Sequence, residues 1–320
     1  MTRKALLPLV FGVLTVGTFS VSIWGQSSTE RQKQPRVRTV SIPISIYTKA
    51  EMRQGQLAEI VDVNRLIVRE NGDEQTILSI RSVEDAPLSL AVLIQEDLSP
   101  SFNLQLTDLA SFIRSLPRGS RVMVAYLRSG SLQLRQKFTD DLDLAARSLR
   151  IVSSNEGSAP RSPYEGLIDA LNRFDALPAG RRAVLFVSDG LDVSQGIAGS
   201  SPSQSVDLER AILRAQRRSV AVFSFYFSAS LTSRDNSNLV LNGQGSLLKL
   251  SDETGGRAFF QGTSAPITFD PFFRDLRLLL NRQFLLTYLS THMKRGYYRT
   301  EVVSTNPEVK IEHPRGYYYR

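Results

Sequence analysis

The chain has 320 residues, 42% hydrophobic and 22% charged, with 14 Pro and 20 Gly, a globular composition long enough for one large core or two smaller ones. It has no Cys, which excludes disulfides, zinc–thiolate centres and Cys nucleophiles; with only His292 and His313 present, any metal should be a hard ion held by oxygen. Basic residues outnumber acidic ones 39 to 31, for a net charge of +8, but the arginines are scattered and Arg217-Arg218 suits a helix C-terminus, so nucleic acid is not expected as a partner.

Arg3 and Lys4 precede an apolar stretch from Ala5 to Trp24, and the polar "GQSSTERQKQPR" follows. Residues 1–25 therefore read as a signal peptide or a membrane anchor. Either one puts the bulk of the chain outside the cytoplasm, with membrane contact expected only through that segment. Residues 26–39 have the composition of a linker. From residue 40 to 84 the pattern is β: "VSIPISIYT" alternates, and two apolar arms flank Glu70-Asn71-Gly72-Asp73, where Asn-Gly signals a tight hairpin.

Residues 85–283 change rhythm. "LSLAVLI" (88–94) is a continuous apolar run, which fits a strand buried on both faces. Helical spacing from Phe102 to Leu116 follows, then strands at 121–127 and 131–138 joined through Ser129-Gly130. "TDDLDLAARSLR" predicts a helix with Thr139 as N-cap, and "SPYEGLIDALNRF" another, with Ser162 and Glu165 in capping-box order. Strands at 183–188 and 220–227 alternate with helices at "VDLERAILRAQRR", "GSLLKLSDETGG" and 270–282. After residue 284 the chain returns to β character, ending in "RGYYYR", whose tyrosines suit an edge strand. The expected fold class is α/β: a doubly wound, mostly parallel sheet. A small flanking β region should form by packing of the N-terminal (40–84) and C-terminal (284–320) segments.

In such a sheet, ligands gather beyond the carboxyl ends of the strands. Three exits carry oxygen ligands: "QEDLSPS" after the first buried strand, the loop ending at Ser162, and "FVSDGLDVS". Asp97, Ser99, Ser101, Ser162 and Asp189 would supply two carboxylates and three hydroxyls, a set suited to Mg²⁺ or Mn²⁺. Ser162 is equally an N-cap, Asp189 and Asp192 are equally turn residues, and Glu96 and Asp97 are equally solvated loop charges.

From about residue 40 onward the chain resembles the von Willebrand factor type A (VWA)-related proteins common in acidobacteria. The resemblance rests on "IVRENGDEQTILSI", "APLSLAVLI", "RAVLFVSDGLD", "LLKLSDETGGRAFF", "QFLLTYLS" and the terminal "RGYYYR". It implies a VWA α/β domain flanked by β structure, an extracytoplasmic role in binding a protein partner, and a metal-ion-dependent adhesion site. In that site Asp97, Ser99 and Ser101 fill Asp-x-Ser-x-Ser, Ser162 replaces a Thr, and Asp189 is the later Asp. The family's lead Asp follows the strand directly, however, and that place here is Gln95; only a two-residue loop extension lets Asp97 take the part. Pro100 also stands where Gly is usual. The expectation is thus a non-enzymatic binding module with a weakened or lost metal site. The alternative is a structural or assembly component of the cell envelope without metal-dependent binding. Neither H-E-x-x-H nor G-x-S-x-G is present, which speaks against an enzyme.

Overall fold

The computed structural model describes residues 37–54, 66–81, 87–153, 162–178, 180–232 and 237–319. Residues 1–25, expected to be a signal peptide or anchor, and most of the expected linker 26–39 lie outside them. Strand β1 (Arg38–Thr48) runs into a short helix, α1 (Lys49–Gln54), which opens with a reciprocal cap: Thr48 N–H donates to Glu51 Oε2 at 2.7 Å, and Glu51 N–H donates to Thr48 Oγ1 at 3.1 Å. β2 (Leu66–Glu70) and β3 (Asp73–Arg81) form the expected hairpin. Asn71 (φ 49°) and Gly72 (φ 95°) both sit in the left-handed region that a two-residue turn of this kind demands.

The α/β part follows: β4 (Leu88–Gln95), α2 (Leu106–Arg114), β5 (Arg121–Arg128), β6 (Ser131–Thr139), α3 (Leu142–Arg147), α4 (Pro163–Asn172), β7 (Arg181–Ser188), α5 (Val206–Arg217), β8 (Val220–Tyr226), α6 (Ser237–Thr254), β9 (Ala258–Phe259) and α7 (Asp270–Asn281). Two details differ from the pattern-based expectation. The helix expected from Phe102 begins as a 3₁₀ turn over Pro100–Gln105, with Pro at its first position. Thr139 ends β6 instead of capping a helix; the cap of α3 is Asp141, whose carboxylate accepts from Leu144 N–H at 2.8 Å.

These strands form a six-stranded sheet in the order β6-β5-β4-β7-β8-β9, parallel except for the β5–β6 hairpin. Counted within the sheet the order is 3-2-1-4-5-6, that of a doubly wound sheet whose direction of winding reverses between β4 and β7. One apolar layer packs residues of α2, α3 and α7, among them Phe112, Ala145 and Phe273, against one face; Leu167, Ile212 and Leu250 of α4, α5 and α6 cover the other. Coverage on both faces is why the central strands read as unbroken apolar runs.

β10 (Gln283–Ser290), β11 (Gly296–Ser304), β12 (Val309–Glu312) and β13 (Gly316–Tyr319) complete a second sheet, ordered β12-β1-β10-β3-β2-β11-β13. With seven strands it is larger than the small flanking region the sequence pattern suggests. Its interior holds Glu70, fully buried, accepting hydrogen bonds from Tyr288 (2.9 Å), Ser290 (2.6 Å) and Tyr317 and contacting His292 Nδ1 at 2.8 Å. Four such contacts hold this carboxyl below its usual range despite burial. Both sheets belong to one unit, Arg36–Arg320. At their junction Ile46 N–H donates to Arg282 O at 3.0 Å, Arg282 pairs with the buried Glu51, and Arg181 Nη1 donates to Leu280 O at 2.7 Å.

Candidate functional site

The reversal point between β4 and β7 is where an open α/β sheet leaves a crevice, so the ends of these strands come first. β4 finishes at Gln95, which is 8% exposed. Its amide oxygen accepts from Ser188 Oγ and from Asp189 N–H at 3.1 Å, and Ser188 Oγ in turn accepts from Gly190 N–H at 2.9 Å. Gln95 thereby bolts the two strand ends together. The position a carboxylate would occupy in the adhesion-site pattern holds a neutral amide, its oxygen already turned to the protein's own donors.

Asp189 is 3% exposed. One carboxylate oxygen accepts from Leu191 N–H at 3.1 Å; the other lies 3.2 Å from Thr232 Oγ1. Thr232 Oγ1 also accepts from Ala229 N–H at 2.8 Å and sits 3.3 Å from Ala229 O, so its single proton goes either to that carbonyl or to Asp189. Burial pushes Asp189 up to about 7, and the charge of Asp97 adds to the rise. Burial and the charge of Asp189 likewise push the Tyr226 phenol up to about 12. The loop is fixed from two sides. Tyr164 OH donates to Gly190 O at 2.7 Å, and α6 approaches so closely at Gly243 that a Cβ there would lie 2.1 Å from Asp189 O. Gly190 takes φ +70°, which lets the chain turn away beneath the helix.

The neighbouring acids have other occupations. Glu96 is buried and pairs with Arg128 (2.6 Å) and with Arg150, whose guanidinium lies over the Tyr126 ring at 4.5 Å. Asp192 accepts from Ser194 N–H at 3.0 Å and from Ser205 Oγ, the hydroxyl that caps α5. It therefore anchors a helix start as well as its turn.

Asp97 is half-buried, and its loop is tethered to the exit of β8 by Ser99 N–H donating to Ser228 O at 2.8 Å. Ser99 and Ser101 hydroxyls are 3.1 Å apart and bond to each other. Ser162 is buried as the N-cap of α4, accepting from Tyr164 N–H at 3.3 Å. The structure thus brings Asp97 within electrostatic reach of Asp189 and joins Ser99 to Ser101, while the hydrogen bond of Ser162 is spent on its helix. Among the described residues no three carboxylate or imidazole groups converge as a metal cluster. Thr232, Tyr226 and Gly243 were not singled out in the sequence. All three belong to or pack against the exits of β7 and β8, and the exit of β8 is the remaining strand end on this face, which is the one available signal.

No protein-family model matches the chain, and no curated protein matches it. Solved structures similar to it include a von Willebrand factor type A structure from Catenulispora acidiphila, at 13% identity over 91% of this chain and 74% of that one, TM-score 0.42. An aerotolerance-related membrane protein from Bacteroides fragilis NCTC 9343 matches at 11% identity over 61% and 98%, TM-score 0.41. The manganese-loaded Plasmodium vivax TRAP protein matches at 12% over 78% and 97%, TM-score 0.39. VWA structures are therefore among the neighbours of this chain. At such identities and scores the likeness places no residue and assigns no activity, and the α/β fold stands on the strand order and helix layers described above.

Proposed function

We propose that the chain is a VWA-type, extracytoplasmic protein-binding module that engages its partner at the carboxyl-end face of the six-stranded sheet, with a divalent ion as a weak accessory at most. The observation that carries this reading is the Gln95 bolt at the reversal point, beside two carboxylates that no described cation neutralises. Both histidines serve the seven-stranded sheet: His292 lies between Glu70 and Asp73 (Nε2 to Oδ2 3.2 Å), and His313 Nε2 accepts from Val302 N–H at 3.3 Å. That favours binding over catalysis.

The donor set fits a hard ion weakly. Asp97 and Asp189, whose like charges a cation would relieve, would hold Mg²⁺ or Mn²⁺ together with the hydroxyls of Ser99 and Ser101. Gln95 adds no charge, and Ser162 would have to leave its helix cap. When bound, such an ion would offer an open position to a partner's carboxylate.

Photo-crosslinkers placed singly at Ser99 and at Tyr318 of edge strand β13, in intact cells, test the reading. Partner crosslinks from Ser99 that persist in chelator support it. Crosslinks from Tyr318 alone would favour an envelope-assembly role, and crosslinks from Ser99 lost in chelator would restore the metal to the centre. Extracytoplasmic placement rests on residues 1–25 and is checked by whether the cell-surface protein is labelled by an impermeant reagent.

A further inference from the structure

Beside the Asp97 loop, three large apolar side chains stand in solvent: Leu104 is 77% exposed, Ile151 69% and Ile267 92%. Isolated exposed apolar residues are ordinary, but these are held together. Asn103 clamps one side, its amide donating to Val152 O at 3.1 Å and accepting from Val152 N–H at 2.8 Å. Gln105 clamps the other, donating to Ile267 O at 2.9 Å and accepting from Phe269 N–H at 3.0 Å. Leu104 therefore sits between the segments that carry Ile151 and Ile267. The floor beneath is rigid, since the buried rings of Phe102, Phe227 and Phe269 pack at centroid distances of 5.5, 6.2 and 5.8 Å.

The same segments carry unpaired acids. Asp97 precedes the 3₁₀ turn bearing Leu104, Asp108 follows Leu104 by one helical turn, and Asp270 follows Ile267 by three residues. Among the described residues none of the three forms an ion pair, whereas the nearby guanidinia of Arg128 and Arg150 are both taken up by Glu96. In a chain of net charge +8, these three acids outnumber the one unpaired guanidinium on the same described segments, that of Arg147 four residues before Ile151, so the open charge there is negative on balance.

We infer that Leu104, Ile151 and Ile267, with Asp97, Asp108 and Asp270 around them, dock a protein segment that carries apolar and basic side chains together. The inference rests on the partner-binding reading above and gives that partner its chemistry. The carboxylates attract a Lys or Arg directly, with no bridging ion, and the clamped aliphatic side chains receive the apolar ones. Charge sets the rate and register of encounter; the apolar contact sets the residence time.

Fluorescence anisotropy of the full chain in chelator, with a labelled peptide alternating Lys and Leu, tests this. Matched peptides carry Glu for Lys or Ser for Leu. The Lys–Leu peptide should bind, weaken with salt, and lose about tenfold in affinity when Leu104→Ser, Ile151→Ser and Ile267→Ser are combined. Combining Asp97→Asn, Asp108→Asn and Asp270→Asn should cost a similar factor. All six positions are exposed or half-exposed, and thermal melts confirm that both variants stay folded. Equal binding of the Glu–Leu peptide, or affinity unchanged in either variant, overturns the inference. If the Lys–Leu peptide fails to bind while Ser99 crosslinks persist, docking at this patch falls and the binding face stands. Crosslinks from Tyr318 alone remove both.

Discussion

Asp189 carries a charge that the fold does not compensate, and its replacement by Asn should stabilise the protein in a pH-dependent way. The sign follows from proton counting. The native carboxyl titrates at about 7, the unfolded one at its ordinary value of about 3.9. Between these values the native state holds a proton that the unfolded chain has released, so stability falls as pH rises through that window and stays low above it. Proton linkage makes the penalty roughly 1 to 2 kcal/mol at pH 5 and roughly 4 kcal/mol at pH 8. An Asn keeps the geometry: its oxygen can accept from Leu191 N–H, and its NH₂ can donate to Thr232 Oγ1, leaving that hydroxyl's proton for Ala229 O. Asp189→Asn should therefore gain on the parent by roughly 2 to 3 kcal/mol between pH 5 and pH 8, read by urea unfolding of both proteins in chelator. Millimolar Mg²⁺ should narrow the gap at pH 8 only to the extent that the ion binds the parent. A difference between the two proteins that stays flat with pH, or an Asn variant less stable at pH 8, would refute the account of Asp189 as a buried, uncompensated acid.

Gly243→Ala places a methyl 2.1 Å from Asp189 O and should cost about 2 kcal/mol or more in thermal or urea unfolding, through displacement of α6 from the Asp189 loop. Glu96→Gln leaves Arg128 and Arg150, both partly open to solvent, facing a neutral group and should cost about 1 to 2 kcal/mol; a loss under about 0.5 kcal/mol would show that the paired guanidinia escape to solvent. His313 accepts from Val302 N–H only when neutral, and burial lowers its pKa from the ordinary value near 6.5. Its contribution is therefore present above that value and lost as pH falls below it. In the Asp189→Asn background, stability should drop below about pH 6.5, and His313→Gln should flatten that drop.

What the sequence made legible was decided locally. Continuous apolar runs announced β4, β5, β7 and β8 because both faces of the sheet are covered, and Asn71-Gly72 announced its hairpin because few other residues accept two successive left-handed conformations. Gln95 was visible too, as the wrong residue at a strand end. Its partner was not: Ser188 is 93 residues away, and only the parallel pairing of β4 with β7 aligns the two. The same holds for Thr232 against Asp189 and Arg150 against Glu96, which no spacing rule links. The extent of the seven-stranded sheet escaped for a related reason. β1 pairs with β10 across more than two hundred residues, and alternation alone says which residues make a strand without saying which strand lies beside it.

The contacts between the two sheets bear on how this chain can be divided. Burial lowers the pKa of the Arg181 guanidinium to about 10, a cost offset in part by its bond to Leu280 O near the end of α7. Cutting at the apparent boundaries before β4 and after α7 would part Arg257, just before β9, from Glu312 of β12, and would break the bond that Ser219 Oγ donates to Ser41 O of β1 at 2.7 Å. The two sheets should accordingly melt in a single transition.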